Sequence, residues 1–309
     1  MPRVAANGLQ VDCEVHGEPG APVVLLVMGL GMPAALWPDP VVQTLTGAGF
    51  RVVTFDNRDS GGSTRLEGVP VPNAPRAIWR ALRRRPVSAP YTLDDMAADT
   101  VGMLDALGID RAHVVGASMG GMIGQVLAAK YPSRVLSLTS IMSNSGNPER
   151  RIAFGRWQAL RAIIRRPPPP DDIEAVVRHL MYVFGVIGSP AFRHEIESMR
   201  PLFERVARRG LYRAGTLRQL LAILATGDRR PLLRTIAVPT LVLHGADDPL
   251  VPLAAGIDTT ANITGAHLEV VPGMGHDFPP GLMAPLAGRI AAHCLRAQPA
   301  AVAPAGPAA

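Results

Sequence analysis

Apolar residues fall along the chain in short runs separated by glycine, proline and polar turns, and those runs set the expected elements. Residues 23–28, Val-Val-Leu-Leu-Val-Met, form an unbroken apolar run of strand length that ends at Gly29 and Gly31. Such a run suits a strand buried on both faces, as in a parallel sheet. Residues 50–55, 112–115, 135–141, 240–243 and 268–271 repeat the pattern, and residues 9–16 read as a short strand before the turn at 17–22. Between these runs the period changes. Met96, Ala97, Val101, Leu104 and Leu107 follow helical spacing, with Thr92 placed as N-cap and Gly108 as the stop. Helical sequence also covers residues 119–131 and 282–295. Strands alternating with helices predict an α/β fold with a mostly parallel central sheet and helices on both faces.

Two stretches break the rhythm. Residues 65–91 hold a short basic helix, expected over 77–84, between proline-rich turns. Residues 144–233 are mainly helical by pattern and split by the prolines at 167–170. Lying between two core strands, they are expected to form a helical cap over the C-terminal edge of the sheet. At 309 residues the chain suits one domain with an insertion better than two independent domains. The expected plan is a core of residues 1–143 and 234–297, a cap of 144–233, and a disordered Ala/Pro-rich tail of 298–309.

Charge adds a question rather than an answer. The formal net charge is +6, and Lys130 is the only lysine, so the positive charge is almost all arginine. The arginines gather within 76–85, 150–166 and 200–218, without the interleaved aromatics or modules of a nucleic-acid binder. They read as solvated helix faces, with no nucleic-acid partner expected. Cys13 and Cys294 make neither a metal-ligand spacing nor a disulfide framework and read as small core residues in a reduced compartment. The first nine residues have no apolar run of signal-peptide type, and the most apolar stretch, 22–37, is too short and too broken to span a bilayer. A cytoplasmic protein without stable membrane insertion is the expectation.

The chemistry is carried by three places. Gly116-Ala117-Ser118-Met119-Gly120 fits G-x-S-x-G between a strand and a helix, a context that pushes a serine hydroxyl out of a sharp turn. A serine needs a base to take its proton. His276 stands out among the eight histidines, because it follows a strand within the glycine-rich loop Gly273-Met274-Gly275-His276. His244, at a strand end, reads as a packed or hydrogen-bonded residue. An acid must orient the imidazole and stabilise its cation; Asp247 and Asp248 both stand at the end of the strand at 240–243, and position alone leaves the choice open. Acyl transfer also needs donors for the developing oxyanion. The Met119 N–H, opening the helix after Ser118, is one expected donor, and the Leu30 N–H in Met28-Gly29-Leu30-Gly31-Met32 is the other, with the Leu30 side chain bordering the acyl pocket. Met142, Leu180, Met181, Phe184, Met199 and Phe203 are candidates to line an apolar substrate pocket, although residues of this kind more often form plain cap core. No metal or organic cofactor is needed for this chemistry.

Together these residues resemble the α/β-hydrolase superfamily, in the order serine, acid, histidine, over residues 11–295. In the family pattern the acid falls at Asp248 rather than Asp247. Asp56-Asn57-Arg58-Asp59-Ser60-Gly61-Gly62-Ser63 is similar to the family's D-x-R-x-x-G-x-S turn, which implies that Asp56 and Arg58 brace loops near Ser118. Met28-Gly29-Leu30-Gly31 resembles the bacterial esterase branch of aclacinomycin methylesterase-like proteins. The resemblance implies a small-molecule carboxylic ester substrate, with an apolar acyl group if the candidate residues line the pocket. It leaves perhydrolysis, C–C bond hydrolysis and a non-catalytic ligand-binding role as alternatives. Ser118 stands where haloalkane dehalogenases and epoxide hydrolases carry aspartate, and those activities are not implied. Oligomeric state is not legible.

Overall fold

In a computed structural model, which describes residues 3–298 apart from residues 72 and 154, the apolar runs pair into one eight-stranded sheet. The strands are β1 (Arg3–Ala6), β2 (Leu9–His16), β3 (Val23–Val27), β4 (Arg51–Phe55), β5 (Ala112–Ala117), β6 (Val135–Ile141), β7 (Thr240–Gly245) and β8 (His267–Val271). Their order is β1-β2-β4-β3-β5-β6-β7-β8. β2 runs antiparallel to β1 and β4, and the remaining pairings are parallel. Helices α1 (Asp39–Gly47), α2 (Ala74–Leu82), α3 (Leu93–Ala106) and α4 (Met119–Lys130) precede β6. Helices α5 (Arg150–Ala153), α6 (Trp157–Ile163), α7 (Ile173–Ile187), α8 (Arg200–Arg209), α9 (Arg213–Thr226) and α10 (Arg230–Leu233) lie between β6 and β7, with a 3-10 stretch at Pro190–Met199. Helices α11 (Leu253–Ala261) and α12 (Pro280–Arg296) follow.

Strand alternation explains the two-sided core. In β3, Val24 and Leu26 join a cluster with Val41, Leu45, Leu286 and Ile290 of α1 and α12. Val23, Leu25 and Val27 point the other way, into a cluster with Met96, Met103, Ile123 and Leu127 of α3 and α4. Each strand residue is therefore buried on its own face, and the continuous apolar run is needed in full. Thr92 opens α3 as expected: its N–H and Oγ both donate to Asp95 Oδ2, at 2.7 and 2.8 Å, and satisfy the start of the helix. Close approach fixes α4 on the sheet. A methyl group at Gly120 would collide with the Val27 carbonyl, and one at Gly124 would lie 2.9 Å from Leu138 Cδ1.

The stretch between β6 and β7 is bound to the core by buried ion pairs, which corrects the expectation that its arginines are all solvated. Arg218 of α9 is 1% exposed and grips Asp59 in the turn after β4 through two 2.8 Å bonds. Asp59 also accepts from the Leu66 N–H and the Tyr91 hydroxyl. Arg209 of α8 reaches both Asp12 and Asp56. The pattern hid this because a helical arginine looks the same whether its partner is water or a carboxylate distant in sequence. Removing one member of such a pair leaves the other charge buried and uncompensated, at a cost of about 3–5 kcal/mol. Arg218→Met is expected to lower stability by that amount in urea unfolding, and adding Asp59→Asn is expected to recover part of the loss.

Most boundaries fall within a residue or two of the apolar pattern. The short basic helix lies at Ala74–Leu82 rather than 77–84, because Asn73 caps it by accepting the Arg76 N–H. β1, α1 and α11 are elements the pattern did not mark. Of the expected disordered tail, residues 299–309 lie outside the described residues. Among the described residues, no helix is long and apolar enough to cross a membrane.

Candidate active site

Sheet register brings the singled-out residues to one edge. Val27 pairs with Gly116, Ala117 with Ile141, and Ile141 with Leu243, so the chain leaves β3, β5, β6 and β7 at one level. β4 lies on one side of β3 and β5 on the other. This reversal of strand order opens a crevice at the C-terminal ends, the usual ligand position in such sheets.

Ser118 stands at that crevice between β5 and α4. Its backbone has φ 54° and ψ −117°, a region disfavoured for any residue with a Cβ. The turn is held from several sides. The Ser118 N–H donates to the Ile141 carbonyl at 2.9 Å, and the Ser118 carbonyl accepts from Ser143 Oγ at 2.8 Å. A methyl group at Gly116 would strike the backbone of Gly120, so the turn closes only with glycine there. While most of its neighbours are buried, Ser118 stays partly exposed.

Asp248 and His276 are brought together. His276 Nδ1 lies 2.7 Å from Asp248 Oδ2, and both residues are buried. The other carboxylate oxygen, Asp248 Oδ1, accepts the N–H groups of Leu250 and Val251, each at 2.8 Å. These bonds fix the carboxylate, so one oxygen faces the imidazole. An ionised carboxylate only accepts, and His276 therefore carries its proton on Nδ1, leaving Nε2 as the basic nitrogen. Asp247 is placed differently: it is exposed and accepts the Gly273 N–H at 3.1 Å, at the root of the histidine loop. His244 is fully buried, and burial lowers its pKa. It donates from Nε2 to the Val251 carbonyl at 2.8 Å, while Asp248 Oδ2 lies 3.8 Å away, beyond hydrogen-bond range. It is a packed residue, as its position at the strand end suggested.

The loop after β3 runs beside Ser118. A methyl group at Gly29 would lie 3.3 Å from Ser118 Cβ and 3.9 Å from its Oγ, so a side chain there would crowd the serine. The loop is braced on both flanks of Leu30. Asn57 Nδ2 donates to the Met28 carbonyl at 3.0 Å, and the Gly31 N–H donates to Gln219 Oε1 at 2.7 Å. Gln219 Nε2 in turn donates to the Arg58 carbonyl at 2.7 Å. Asp56 accepts the Ala34 N–H at 2.6 Å and so braces the loop after β3, as the family turn implied, whereas the Arg58 side chain pairs with Asp99 of α3. No hydrogen bond among the described residues takes the Leu30 N–H. The Met119 N–H opens α4, where the helix itself supplies no acceptor. The Leu30 side chain is half-buried and packs against the core cluster that includes residues of α3 and α4. Gln219 and Asn57 were not legible in sequence, since no motif marks them and Gln219 stands 188 residues from Gly31.

The candidate pocket residues separate. Phe184 and Met199 line a cavity of about 210 Å³ with Phe192, Arg193, Glu195, Ile196 and Asp277, and neither Ser118 nor His276 lines it. Met142, Leu180 and Phe203 are buried in the core cluster. Met181 is half-buried, with its sulfur 4.0 Å from Arg200 Nη1.

Parallel sheet, strand order and strained serine turn define an α/β hydrolase architecture, and residues 22–279 match the alpha/beta hydrolase fold family, to which the chain belongs. Within it, the chain is 28% identical over 299 residues to rhodomycin D methylesterase DnrP of Streptomyces peucetius, covering 90% of this chain and 92% of that protein. It is 31% identical over 279 residues to a candidate carbamate hydrolase, RutD, of Caulobacter segnis, covering 86% and 89%. Among solved structures, the enol-lactonase of Burkholderia xenovorans LB400 superposes with a TM-score of 0.72 at 23% identity, covering 95% of this chain and all of that one.

Proposed function

We propose that this protein is a serine hydrolase of carboxylic esters. The observation that carries the reading is the strained Ser118 turn at the sheet crevice, on the same edge as a buried His276–Asp248 pair 2.7 Å apart. His276 Nε2 takes the Ser118 proton as Oγ attacks the ester carbonyl. The Leu30 and Met119 N–H groups receive the negative charge that develops on the carbonyl oxygen. His276, now a cation held by Asp248, gives its proton to the departing alcohol and leaves an acyl-enzyme. Water, activated by the same nitrogen, releases the acid and restores Ser118.

The likeness to rhodomycin D methylesterase supports an ester substrate, and the comparable likeness to RutD makes a carbamate its competitor. Residues 144–233 act as the cap. The cavity that Phe184 and Met199 line with Phe192 and Ile196 also takes in Arg193, Glu195 and Asp277 and is lined by neither Ser118 nor His276, so the acyl preference is read from the ester series. The test is hydrolysis of p-nitrophenyl esters of increasing acyl length, repeated with hydrogen peroxide present. Ester turnover independent of peroxide is the expected result. Turnover that appears only with peroxide would move the reading to perhydrolysis.

A further inference from the structure

The loop that carries His276 rests on the end of α7, and the contacts between them enclose the histidine on both sides in sequence. The His276 N–H itself donates to the Ile187 carbonyl at 2.9 Å. One residue before it, the Gly275 N–H donates to Ser189 Oγ at 2.8 Å. One residue after it, Asp277 Oδ1 accepts both the Ser189 N–H, at 3.0 Å, and the Ser189 hydroxyl. The Ser189 hydroxyl thus accepts from Gly275 and donates to Asp277, joining the two residues that flank His276. The two chains meet at glycines. A methyl group at Gly275 would collide with the Gly188 carbonyl, and one at Gly188 would lie 2.6 Å from Asp277 Oδ2. Ser189 and Asp277 are 3% and 6% exposed, so these bonds form away from bulk water, where they are strong and costly to leave unmade.

Resting on the proposed role of His276 as base, we infer that Ser189 and Asp277 form a latch that positions His276 by clamping its loop to the cap. Neither touches the reacting atoms; they act through the peptide units flanking the imidazole. An imidazole fixed by Asp248 at Nδ1 alone could still pivot, and a loop held at residues 275, 276 and 277 removes that freedom. Burial pushes the Asp277 carboxyl up to about 6, against the Ser189 bonds, which favour its charged form. His276 and Asp248 also act on it, and Arg193 and Glu195 line the cavity it faces. Protonation of Asp277 therefore weakens the latch as pH falls through about 6.

The test compares Ser189→Ala, Asp277→Ala and Asp277→Asn with wild type, by fluorophosphonate labelling rate and by kcat and KM on a short ester. A displacement of the base by an ångström costs about 100-fold in rate. Both alanine variants are expected to label and turn over about 10- to 100-fold more slowly with KM little changed. Asp277→Asn keeps both acceptor contacts and is expected to restore most of the rate at neutral pH, with an acid limb of kcat/KM less steep than that of wild type. Unchanged labelling rates per folded molecule, with only a lower melting temperature, would overturn the latch. If wild type neither labels nor turns over esters, the proposed reaction fails, and the latch is judged on the His276 ring resonances of ¹⁵N-histidine-labelled protein. Resonances that shift or broaden in Ser189→Ala support it, and unchanged ones overturn it.

Discussion

Ser118→Ala is expected to lower kcat for ester hydrolysis by about a millionfold, the order seen when a serine nucleophile is removed from a complete triad. The loss belongs to chemistry and not to folding. Alanine retains the Cβ, and the backbone bonds from Ser118 N–H to Ile141 and from Ser143 Oγ to the Ser118 carbonyl do not involve the hydroxyl. The urea midpoint of the variant should therefore match that of wild type. Ser118→Gly separates the two effects in the opposite direction. Glycine adopts φ 54° without the penalty a Cβ incurs, so this variant is expected to gain about 1 kcal/mol of stability while remaining inactive. A serine kept where glycine would be more stable is what a reactive turn requires.

Asp248→Asn is the second large effect, with kcat expected to fall about 10⁴-fold. The asparagine can still accept from Leu250 and Val251, so the loop should hold its shape. What fails is the side facing His276: an amide NH₂ there selects the wrong tautomer and cannot stabilise the imidazolium. Asp247→Asn is the matched control. Its exposed side chain accepts only the Gly273 N–H in this region, a bond asparagine preserves, and its kcat should stay near that of wild type. Steady-state kinetics of the pair distinguish two adjacent acids that position in the sequence alone left open.

The legibility of this protein follows the range over which each signal acts. β3 to β7 were readable because strands buried at most positions on both faces must be largely apolar, and each run carries that requirement locally. β8, an edge strand with one buried position, showed only through Leu268, Val270 and Val271. The serine turn was readable because its residues stand together within five positions. Only Gly116 is demanded by a local contact, with Gly120, and Gly120 itself is demanded by the distant Val27 carbonyl. β1 is a four-residue edge strand with one buried position, too short to make a pattern. α1 begins Asp-Pro-Val-Val, where proline reads as a turn although it serves well in a first helical turn. α11 contains Gly256 and two threonines, poor helix formers, and the glycine is there because the His244 ring packs against it.

The braces were illegible for a different reason. Gln219, Ser189 and Arg218 act on partners 188, 86 to 88 and 159 residues away, and their identity is meaningful only once the helical stretch between β6 and β7 is folded against the core. The candidate pocket divided for the same cause. An apolar helical residue that lines a cavity and one that fills the core follow the same periodicity, so Phe184 and Phe203 were alike in sequence although their rings meet at 5.1 Å and only the first lines the cavity.

The most direct measurement is the initial rate of wild-type protein on p-nitrophenyl esters from acetate to long-chain acyl groups. Turnover on short and medium chains, falling with the longest and abolished by fluorophosphonate attached at Ser118, is the expected result. A folded protein that hydrolyses none of the series and leaves Ser118 unlabelled would contradict the assignment of Ser118, His276 and Asp248 as an esterase triad.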